Sequence, residues 1–337
     1  MLILGIETSC DETSAAVLDD GFEVRSNIVL SQDEIHAPYG GIVPELASRQ
    51  HIRSITWVVE EALHRAGATV SNMDALAVTQ GPGLIGSLLV GVSFAKGLAY
   101  AFGKPLVPVD HLDAHIHSAF ISNREIEFPA LALLVSGGHT SLYRMERKLN
   151  ARLLGRTRDD AAGEALDKIS KFLDLGYPGG PVIDRRSEGG DPKAFPFALP
   201  HMSDGSLDFS FSGFKTAALR HIREAGLSRT DVRLADFLAS FQDAVVRALL
   251  SNLGRAVREN RPRSLILAGG VARNRHLRSE FEAFARRQGL AAFVPDPAFC
   301  TDNAAMVAAL GLEKIAAGED IGFDLRLNAY PRRLHAP

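Results

Sequence analysis

Two histidines, His111 and His115, follow an apolar segment of the kind that forms a strand. Residues four positions apart in a helix lie on one face with Cβ atoms about 6 Å apart, so the two imidazoles can bind one divalent metal ion. Asp110 is suited to cap such a helix, and Asp113 adds an acidic group to its first turn. The pair is also compatible with ordinary histidines on a helix surface.

Asp302 is a third candidate ligand, at the start of an alanine-rich segment that predicts a helix to about Gly318. A carboxylate at this place can serve as an N-cap and nothing more. Two histidines and one aspartate also form a three-ligand set with open positions, which is typical of a catalytic metal rather than a structural one. We therefore expect a metal held by His111, His115 and Asp302.

The composition is that of an ordinary globular protein: 337 residues, 46% hydrophobic and 23% charged, with a net charge of -3. This length predicts about two domains, and the charge argues against a protein that binds nucleic acid with its whole surface. Two cysteines are too few for a disulfide framework or a thiolate metal site, and they fit a reducing, cytoplasmic interior. The apolar amino terminus, interrupted at Glu7 and without a basic leader, predicts a first strand and not a signal peptide.

A local basic surface is still possible. Between residues 255 and 287 the sequence has nine arginines: Arg255, Arg258, Arg261, Arg263, Arg273, Arg275, Arg278, Arg286 and Arg287. Such a run suits phosphate contacts with little sequence preference, and it is equally the pattern of a solvated helix face.

Apolar runs lead into hydroxyl- or glycine-rich turns at four places, after residues 2–6, 75–78, 131–135 and 265–267. Helical patterns lie between them, notably at 44–67 and 234–260, so the alternation predicts an α/β fold. The apolar run 84–95 predicts a buried helix that is too short to cross a membrane. The turns at Thr8-Ser9, Ser136-Gly137-Gly138 and Gly269-Gly270 could bring backbone amides close to an anion, which favours a nucleotide site near Asn274.

Six strings together closely resemble the Kae1/TsaD family, once called the glycoprotease family. They are GIETSCDETS at 5–14, GPGLIGS at 81–87, DHLDAH at 110–115, LVSGGHT at 134–140, GGVARN at 269–274 and TDNAA at 301–305. The resemblance implies an actin-like, sugar-kinase-like ATPase fold of two ribonuclease H-like lobes facing a cleft. We expect an N-terminal lobe of residues 1–110 plus about 302–325, and a C-terminal lobe of residues 111–301.

The resemblance further implies a tRNA N6-adenosine threonylcarbamoyltransferase that moves the threonylcarbamoyl group from threonylcarbamoyl adenylate to the adenosine beside the anticodon, with release of AMP. A metal-dependent glycoprotein endopeptidase is the alternative, although Leu112 stands where an H-E-x-x-H protease has its glutamate. Glu7 occupies a position where related kinases usually have aspartate, so fast ATP hydrolysis by this chain is not expected.

The resemblance assigns roles residue by residue. One Fe2+ or Zn2+ ion would be held by His111, His115 and Asp302. The substrate would be bound by Leu134, Val135, Ser136, Gly137, Gly138, Asp167, Gly180, Asp184 and Asn274. Asp11 and Glu12 are the candidates for acid-base or positioning work near the acceptor amine. The implied partners are tRNA, an inactive paralogous subunit, with the helix at 44–67 as a contact face, and a P-loop ATPase subunit.

Overall fold

The computed structural model describes residues 1–123, 125–200, 202–319 and 328–331. It divides the chain into two compact units. Unit 1 consists of the described residues of Met1–Arg124 and Asp302–Pro337, and unit 2 is Glu125–Thr301. The helix that carries both histidines thus belongs to unit 1, whereas the expected boundary placed it in the C-terminal lobe. Positions 320–325 of the expected N-terminal lobe lie outside the described residues.

Unit 1 is built on a five-stranded mixed sheet. Its strands are β1 (Leu2–Glu7), β2 (Glu12–Asp19), β3 (Val24–Ser31), β4 (Ala75–Gly81) and β5 (Leu106–Asp110), in the order β3-β2-β1-β4-β5. Its helices are α1 (Asp33–His36), α2 (Pro44–Arg65), α3 (Ile85–Phe102), α4 (His111–Ser122) and α10 (Ala304–Ala316). β1 and β4 are parallel, as are β4 and β5, while the β1-β2 and β2-β3 pairs are antiparallel.

Unit 2 has a sheet of the same plan. Its strands are β6 (Ala130–Val135), β7 (Thr140–Arg147), β8 (Asn150–Arg156), β9 (Ser264–Ala268) and β10 (Ala291–Phe293), in the order β10-β9-β6-β7-β8. Its helices are α5 (Ala162–Phe172), α6 (Gly179–Arg186), α7 (Ser212–Ala225), α8 (Leu234–Asn260) and α9 (Arg275–Gln288). When the strands are numbered from the start of each unit, the two sheets have the same order and the same pattern of parallel and antiparallel pairs. The α/β class and the two similar lobes are confirmed.

The central strands are buried on both faces, which is why their sequences are continuous apolar runs. In β6 every residue is buried, and in β9 likewise. The core of unit 2 is rich in phenylalanine, with Phe209, Phe211, Phe237, Phe241 and Phe281 almost fully buried. α8 crosses this core with buried residues along nearly its whole length.

Helix α10 follows unit 2 in the chain but packs on the sheet and on α4 of unit 1. Gly5 on β1 allows this close approach, since a Cβ atom there would lie 2.4 Å from the carbonyl oxygen of Ala304. Ser14 adds a hydrogen bond, its Oγ accepting from the Ala304 amide at 2.8 Å. The close contact of α10 with β1 and β2 fixes the position of Asp302, which immediately precedes the helix cap Asn303.

Helix α3 contains the apolar run that predicted a buried helix, and that prediction was wrong in part. Only 33% of its 18 residues are buried, while Leu89 and Tyr100 face outward with 50% and 77% exposure. Within the described part of the chain, α3 is the one helix long and apolar enough to cross a membrane by length and composition. Core helices of globular proteins pass the same test, and α3 packs on α2 and β4.

Candidate metal centre and substrate residues

The two histidines are placed by a helix start that Asp110 defines. The side chain of Asp110 at the end of β5 accepts hydrogen bonds from the amides of Leu112 and Asp113 at 3.0 and 3.1 Å, as the sequence predicts for an N-cap. Helix α4 therefore begins at His111, and His115 follows one turn later on the same face. Their rings meet edge to face, with centroids 4.6 Å apart.

Asp302 completes the cluster because another residue caps the next helix. Asn303 is the N-cap of α10, its Oδ1 accepting from the Met306 amide at 3.1 Å. Asp302 Oδ1 instead lies 3.0 Å from Nε2 of His115 and 3.7 Å from Nε2 of His111. The three donor atoms lie within 4.8 Å of one another. The predicted ligand set is thus assembled within unit 1.

The state of His115 shows that this cluster fits a metal ion. His115 is completely buried, and neither of its ring nitrogens has a hydrogen-bond partner among the described residues, despite the short distance to Asp302. A buried polar group without a partner costs roughly 1–3 kcal/mol. A cation bound through Nε2 would satisfy one of these two nitrogens, and two nitrogens with one carboxylate suit Fe2+ or Zn2+.

The charges around His111 also favour a cation. Its Nδ1 lies 3.1 Å from Glu7 Oε2 and 3.1 Å from Ser9 Oγ. Burial opposes the charged imidazolium, but the carboxylates of Asp302 and Glu7 outweigh burial and raise the pKa of His111 to about 9. His111 in turn lowers the pKa of Glu7, although the burial of Glu7 acts to raise it. Positive charge is therefore stabilised at this point of unit 1.

An acidic turn precedes β2 in the same unit. Burial raises the pKa of Glu12 well above the ordinary range, and repulsion from Asp302 and Asp11 adds to that shift. Burial, followed by repulsion from Asp302, also raises the pKa of Asp11. A carboxyl group whose pKa is raised in this way is suited to accept a proton near neutral pH. Glu12 and Asp11 thus lie within electrostatic reach of Asp302, the candidate metal ligand.

A buried polar network supports the backbone of this turn, and no motif or spacing in the sequence indicates it. His51 on α2 is completely buried; its Nε2 lies 2.9 Å from the carbonyl oxygen of Cys10, and its Nδ1 lies 2.8 Å from Thr13 Oγ1. A carbonyl oxygen can only accept, so Nε2 carries the proton and Nδ1 accepts from the hydroxyl. Burial lowers the pKa of His51, which keeps this ring neutral.

The expected substrate loop of unit 2 divides into two parts. Leu134 and Val135 are the last residues of β6, with side chains fully buried in the core, so only their backbone can meet a ligand. Ser136 is half-buried, and Gly137 and Gly138 are exposed beyond the strand end. The loop closes on itself, because the Ser136 amide donates to the carbonyl oxygen of His139 at 2.8 Å.

Three further residues predicted to bind the substrate lie on α5 and α6. Asp167 Oδ1 accepts from the Gly179 amide at 2.7 Å and so caps the start of α6. Gly180 and Asp184 lie one turn apart on that short helix. The Asp184 carboxylate is engaged by Arg275, whose Nε donates to Oδ2 at 3.0 Å. The sequence indicates Arg275 only as a member of a basic run. Its contact with Asp184 joins residues far apart in the chain, so no local sequence pattern predicts it.

Asn274 has a structural role in addition to the one expected of it. Its Oδ1 accepts from the Leu277 amide at 2.9 Å, which makes it the N-cap of α9. Its Nδ2 donates to Oε1 of the buried Gln242 at 2.7 Å, and Gln242 in turn donates to Ser187 Oγ at 3.3 Å. Sequence reasoning did not identify Gln242, which lies in the apolar helix α8. Any contact of Asn274 with a nucleoside uses its second amide hydrogen or its backbone.

Some arginines of the run between residues 255 and 287 already bind other groups of unit 2. Arg255, Arg263, Arg275 and Arg278 bind carbonyl oxygens or carboxylates of unit 2. Arg258, Arg261, Arg273, Arg286 and Arg287 are exposed. Helices α8 and α9 end beside the starts of β9 and β10, so Arg261, Arg263, Arg286 and Arg287 occur at the end of the sheet opposite to the Ser136 and Gly269 turns.

Comparison with protein families shows to which family the chain belongs. Residues 23–309 match the family model described as TsaD: tRNA N6-adenosine threonylcarbamoyltransferase. The chain belongs to this family. A protein of that name from Anaeromyxobacter dehalogenans is 51% identical over 330 residues, covering 98% of both chains. One from Moorella thermoacetica is 50% identical over 305 residues, covering 90% of this chain and 89% of its own.

Solved structures show the fold. Component A of the (R)-2-hydroxyglutaryl-CoA dehydratase of Acidaminococcus fermentans aligns with a TM-score of 0.56 at 16% identity, covering 94% of this chain and 99% of its own. HypF of T. kodakarensis aligns with a TM-score of 0.59 at 15% identity, covering 94% of this chain and 48% of its own. The actin-like, sugar-kinase-like fold implied by the TsaD resemblance is confirmed. The family match and the named relatives support the transferase over the endopeptidase.

Proposed function

We propose that the chain transfers the threonylcarbamoyl group of threonylcarbamoyl adenylate to the exocyclic amine of the adenosine beside the anticodon of tRNA. The observation that carries this proposal is the cluster of buried His111, buried His115 and partly buried Asp302, next to an acidic turn, in a chain that matches the TsaD family over most of its length. In the reaction the amine nitrogen bonds to the carbamoyl carbon, and the bond from that carbon to the phosphate oxygen breaks. AMP leaves with the electron pair.

The metal ligands prepare the phosphate side of this exchange. A divalent ion, Fe2+ or Zn2+, would supply Lewis-acid stabilisation of charge on the leaving phosphate. With an ion in place of the proton, His111 and His115 would present neutral nitrogen donors, and Asp302 would contribute the only carboxylate of the set. Because both histidines are at least nine-tenths buried, water competes little for the inner side of this site.

Glu12 is the proposed proton acceptor. The attacking amine becomes acidic only as its new bond to carbon forms, so the base is needed late in the step. The raised pKa of Glu12 brings its basicity closer to neutrality than that of an ordinary carboxylate. Asp11 adds negative charge beside it, and His51 holds the backbone of the turn through the Cys10 carbonyl oxygen.

The donor is bound in this proposal by the residues of unit 2. The exposed amides of Gly137 and Gly138 follow a buried strand and have no Cβ atoms to obstruct an anion. Asp167, Gly180, Asp184 and Asn274 contact the nucleoside and the rest of the adenylate. Asp167 and Asn274 both cap helices, so their side chains are already oriented before substrate arrives.

The proposed partners are tRNA, an inactive paralogous subunit and a P-loop ATPase, in a cytoplasmic setting. Support for the paralogue comes from the outward faces of α2 and α3, which pack together in unit 1. Ile52 and Trp57 on α2 are 65% and 53% exposed, and Leu89 and Tyr100 on α3 are similarly open. Large apolar side chains exposed on two packed helices are compatible with a protein interface. Support for tRNA comes from the match to the TsaD family, whose model is described as a tRNA N6-adenosine threonylcarbamoyltransferase.

Reconstitution tests the proposed function. The metal-loaded chain, threonylcarbamoyl adenylate, unmodified tRNA and the two partner proteins are incubated, and the nucleosides are then analysed by mass spectrometry. We expect threonylcarbamoyladenosine, and we expect it to disappear when His115→Ala replaces the native chain. Absence of the modified nucleoside with fully metal-loaded protein would overturn the proposal.

The endopeptidase is tested in the same preparation. Leu112 is buried at the position of the protease glutamate. We therefore expect no metal-dependent cleavage of a glycoprotein substrate. Cleavage that scales with bound metal and is lost in His111→Ala would revive that alternative.

A further inference from the structure

Glu7, the last residue of β1, is completely buried and makes three polar contacts. Its Oε1 accepts from the amide of Ser9 at 2.5 Å, and its Oε2 accepts from the hydroxyl of Thr79 at 2.6 Å. Oε2 also lies 3.1 Å from Nδ1 of His111. Both carboxylate oxygens are thus used inside the protein, and neither is available to a substrate.

The contact with His111 fixes which ring nitrogen carries the proton. An ionised carboxylate can only accept hydrogen bonds, so Nδ1 of His111 must be the donor. In the neutral ring, the form that binds a metal ion, Nε2 is then the nitrogen with the lone pair, and it is Nε2 that faces Asp302 at 3.7 Å. Histidines that bind metals commonly donate their other ring nitrogen to a carboxylate, which fixes ring orientation and increases the basicity of the ligand.

We propose that Glu7 is a positioning residue of the metal centre: its buried carboxylate holds His111 in the Nδ1–H tautomer and directs Nε2 to the metal ion. This inference rests on the metal site of the proposed function and assigns a role to a residue outside the ligand set. It also explains why this position can carry glutamate in a fold whose kinases use the first turn for phosphate. The longer side chain reaches from β1 to α4 and Thr79, and no oxygen remains for phosphate chemistry.

A purely structural role is the competing explanation, because Glu7 also ties the Ser9 turn and β4 to β1. The two roles differ in how Glu7 depends on His111. If Glu7 acts on the metal through His111, its replacement has little further effect on metal affinity once His111 is gone. A structural contribution to the whole site adds to the loss of His111.

The test is Zn2+ affinity, measured by competition with a chromophoric chelator on the purified full chain. Glu7→Gln keeps the size of the side chain but offers an amide where His111 needs an acceptor. We expect affinity to fall about 10- to 100-fold. Glu61→Gln, on the surface of α2 and paired only with Arg65, is the matched control and should bind as the native chain does.

A double-mutant cycle completes the test. We expect Glu7→Gln to change affinity less than about 3-fold in a His111→Ala background, together with an altered visible spectrum of the Co2+ form in the single variant. If Glu7→Gln does not fold, Thr79→Val removes one hydrogen bond from the same carboxylate, and a several-fold loss of affinity is expected. Native affinity in Glu7→Gln, or equal losses in both backgrounds, would overturn the inference while leaving the metal site intact. A native chain that binds no metal would overturn both.

Discussion

Oδ1 of Asp302 lies 3.0 Å from Nε2 of His115, although the whole of unit 2 separates these residues in the sequence. The contact exists because two helix caps are assigned unambiguously. Asp110 caps α4, so neither histidine is needed as a cap, and Asn303 caps α10, so Asp302 is not needed as one. Each candidate ligand thus lies in or just before a helix that another residue caps, so its own side chain can face the metal site.

Removal of one ligand should abolish tight metal binding. We expect His115→Ala to lower Zn2+ affinity by more than about 100-fold, which is beyond the usual cost of losing a neighbour of a ligand. Metal content after dialysis against a chelator, measured by elemental analysis, is the check. His64→Ala, an exposed histidine of α2, is the control and should keep its metal. Stoichiometric metal in His115→Ala would place the ion elsewhere.

Glu12 should affect chemistry and not metal binding. We expect Glu12→Gln to slow a single turnover of threonylcarbamoyl transfer by about 100-fold or more, because the amide cannot accept the amine proton. Metal content should equal that of the native chain. The rate is measured with saturating adenylate and tRNA, so weaker binding does not enter. An unchanged rate would show that another group, or water, accepts the proton.

Gly163 on α5 should control the loop that binds the donor. A Cβ atom there would lie 2.6 Å from the Ser136 carbonyl oxygen and 2.8 Å from Gly137 Cα, so Gly163→Ala must displace that loop. We expect weaker adenylate binding with unchanged Zn2+ affinity, since the metal ligands are in unit 1. Titration calorimetry with a non-hydrolysable adenylate measures the first quantity, and competition with a chromophoric chelator measures the Zn2+ affinity.

Gly213 provides the control for this substitution. It lies on α7 of the same unit, and a Cβ atom added there meets nothing within 4 Å. Gly213→Ala should therefore bind the adenylate as the native chain does. Equal effects of the two alanines would mean that the contact of Gly163 with the loop is not the cause.

Asp159 should make unit 2 sensitive to acid. Its burial favours the protonated form, but hydrogen bonds from Ser210, Phe211 and Ser212 outweigh this and hold the pKa below its ordinary value of 3.8. The ionised carboxylate therefore contributes its full stability above pH 3.8 and loses it as the pH falls through the folded-state pKa.

Replacement of Asp159 isolates that contribution. We expect Asp159→Asn to lower the free energy of unfolding by about 1 kcal/mol at neutral pH, because the carboxylate ties down the start of α7. The difference from the native chain should shrink towards about pH 3 in urea titrations. A difference that stays constant with pH would assign the effect to packing instead of charge.

The sequence alone predicts those elements whose patterns are local. β1, β4, β6 and β9 are central strands, and their continuous apolar runs are visible without a structure. β3 and β8 are edge strands with exposed and half-buried residues along their length, so no apolar run marks them. The choice between Asp302 and Asn303 as helix cap is likewise open, because both residue types cap well.

Tertiary contacts account for what sequence reasoning missed at the site. Helix α4 follows β5 directly, yet its place in unit 1 depends on packing against α10 from the far end of the chain. Gln242 and His51 lie in helices whose patterns read as apolar or amphipathic, and their polar roles depend on Asn274 and Cys10 arriving beside them. Such partners are specified by the fold and not by spacing.

The late position of α10 has a consequence for biosynthesis. The two histidines leave the ribosome long before Asp302, so a nascent chain presents an incomplete ligand set and an uncovered β1 while unit 2 is still being made. A product that ends before Asp302 retains the histidines, but it lacks both the third ligand and the helix that packs on Gly5. Binding of one ion by all three residues therefore requires synthesis to have passed Asp302, and α10 must then pack on unit 1 to bring that carboxylate to the histidines.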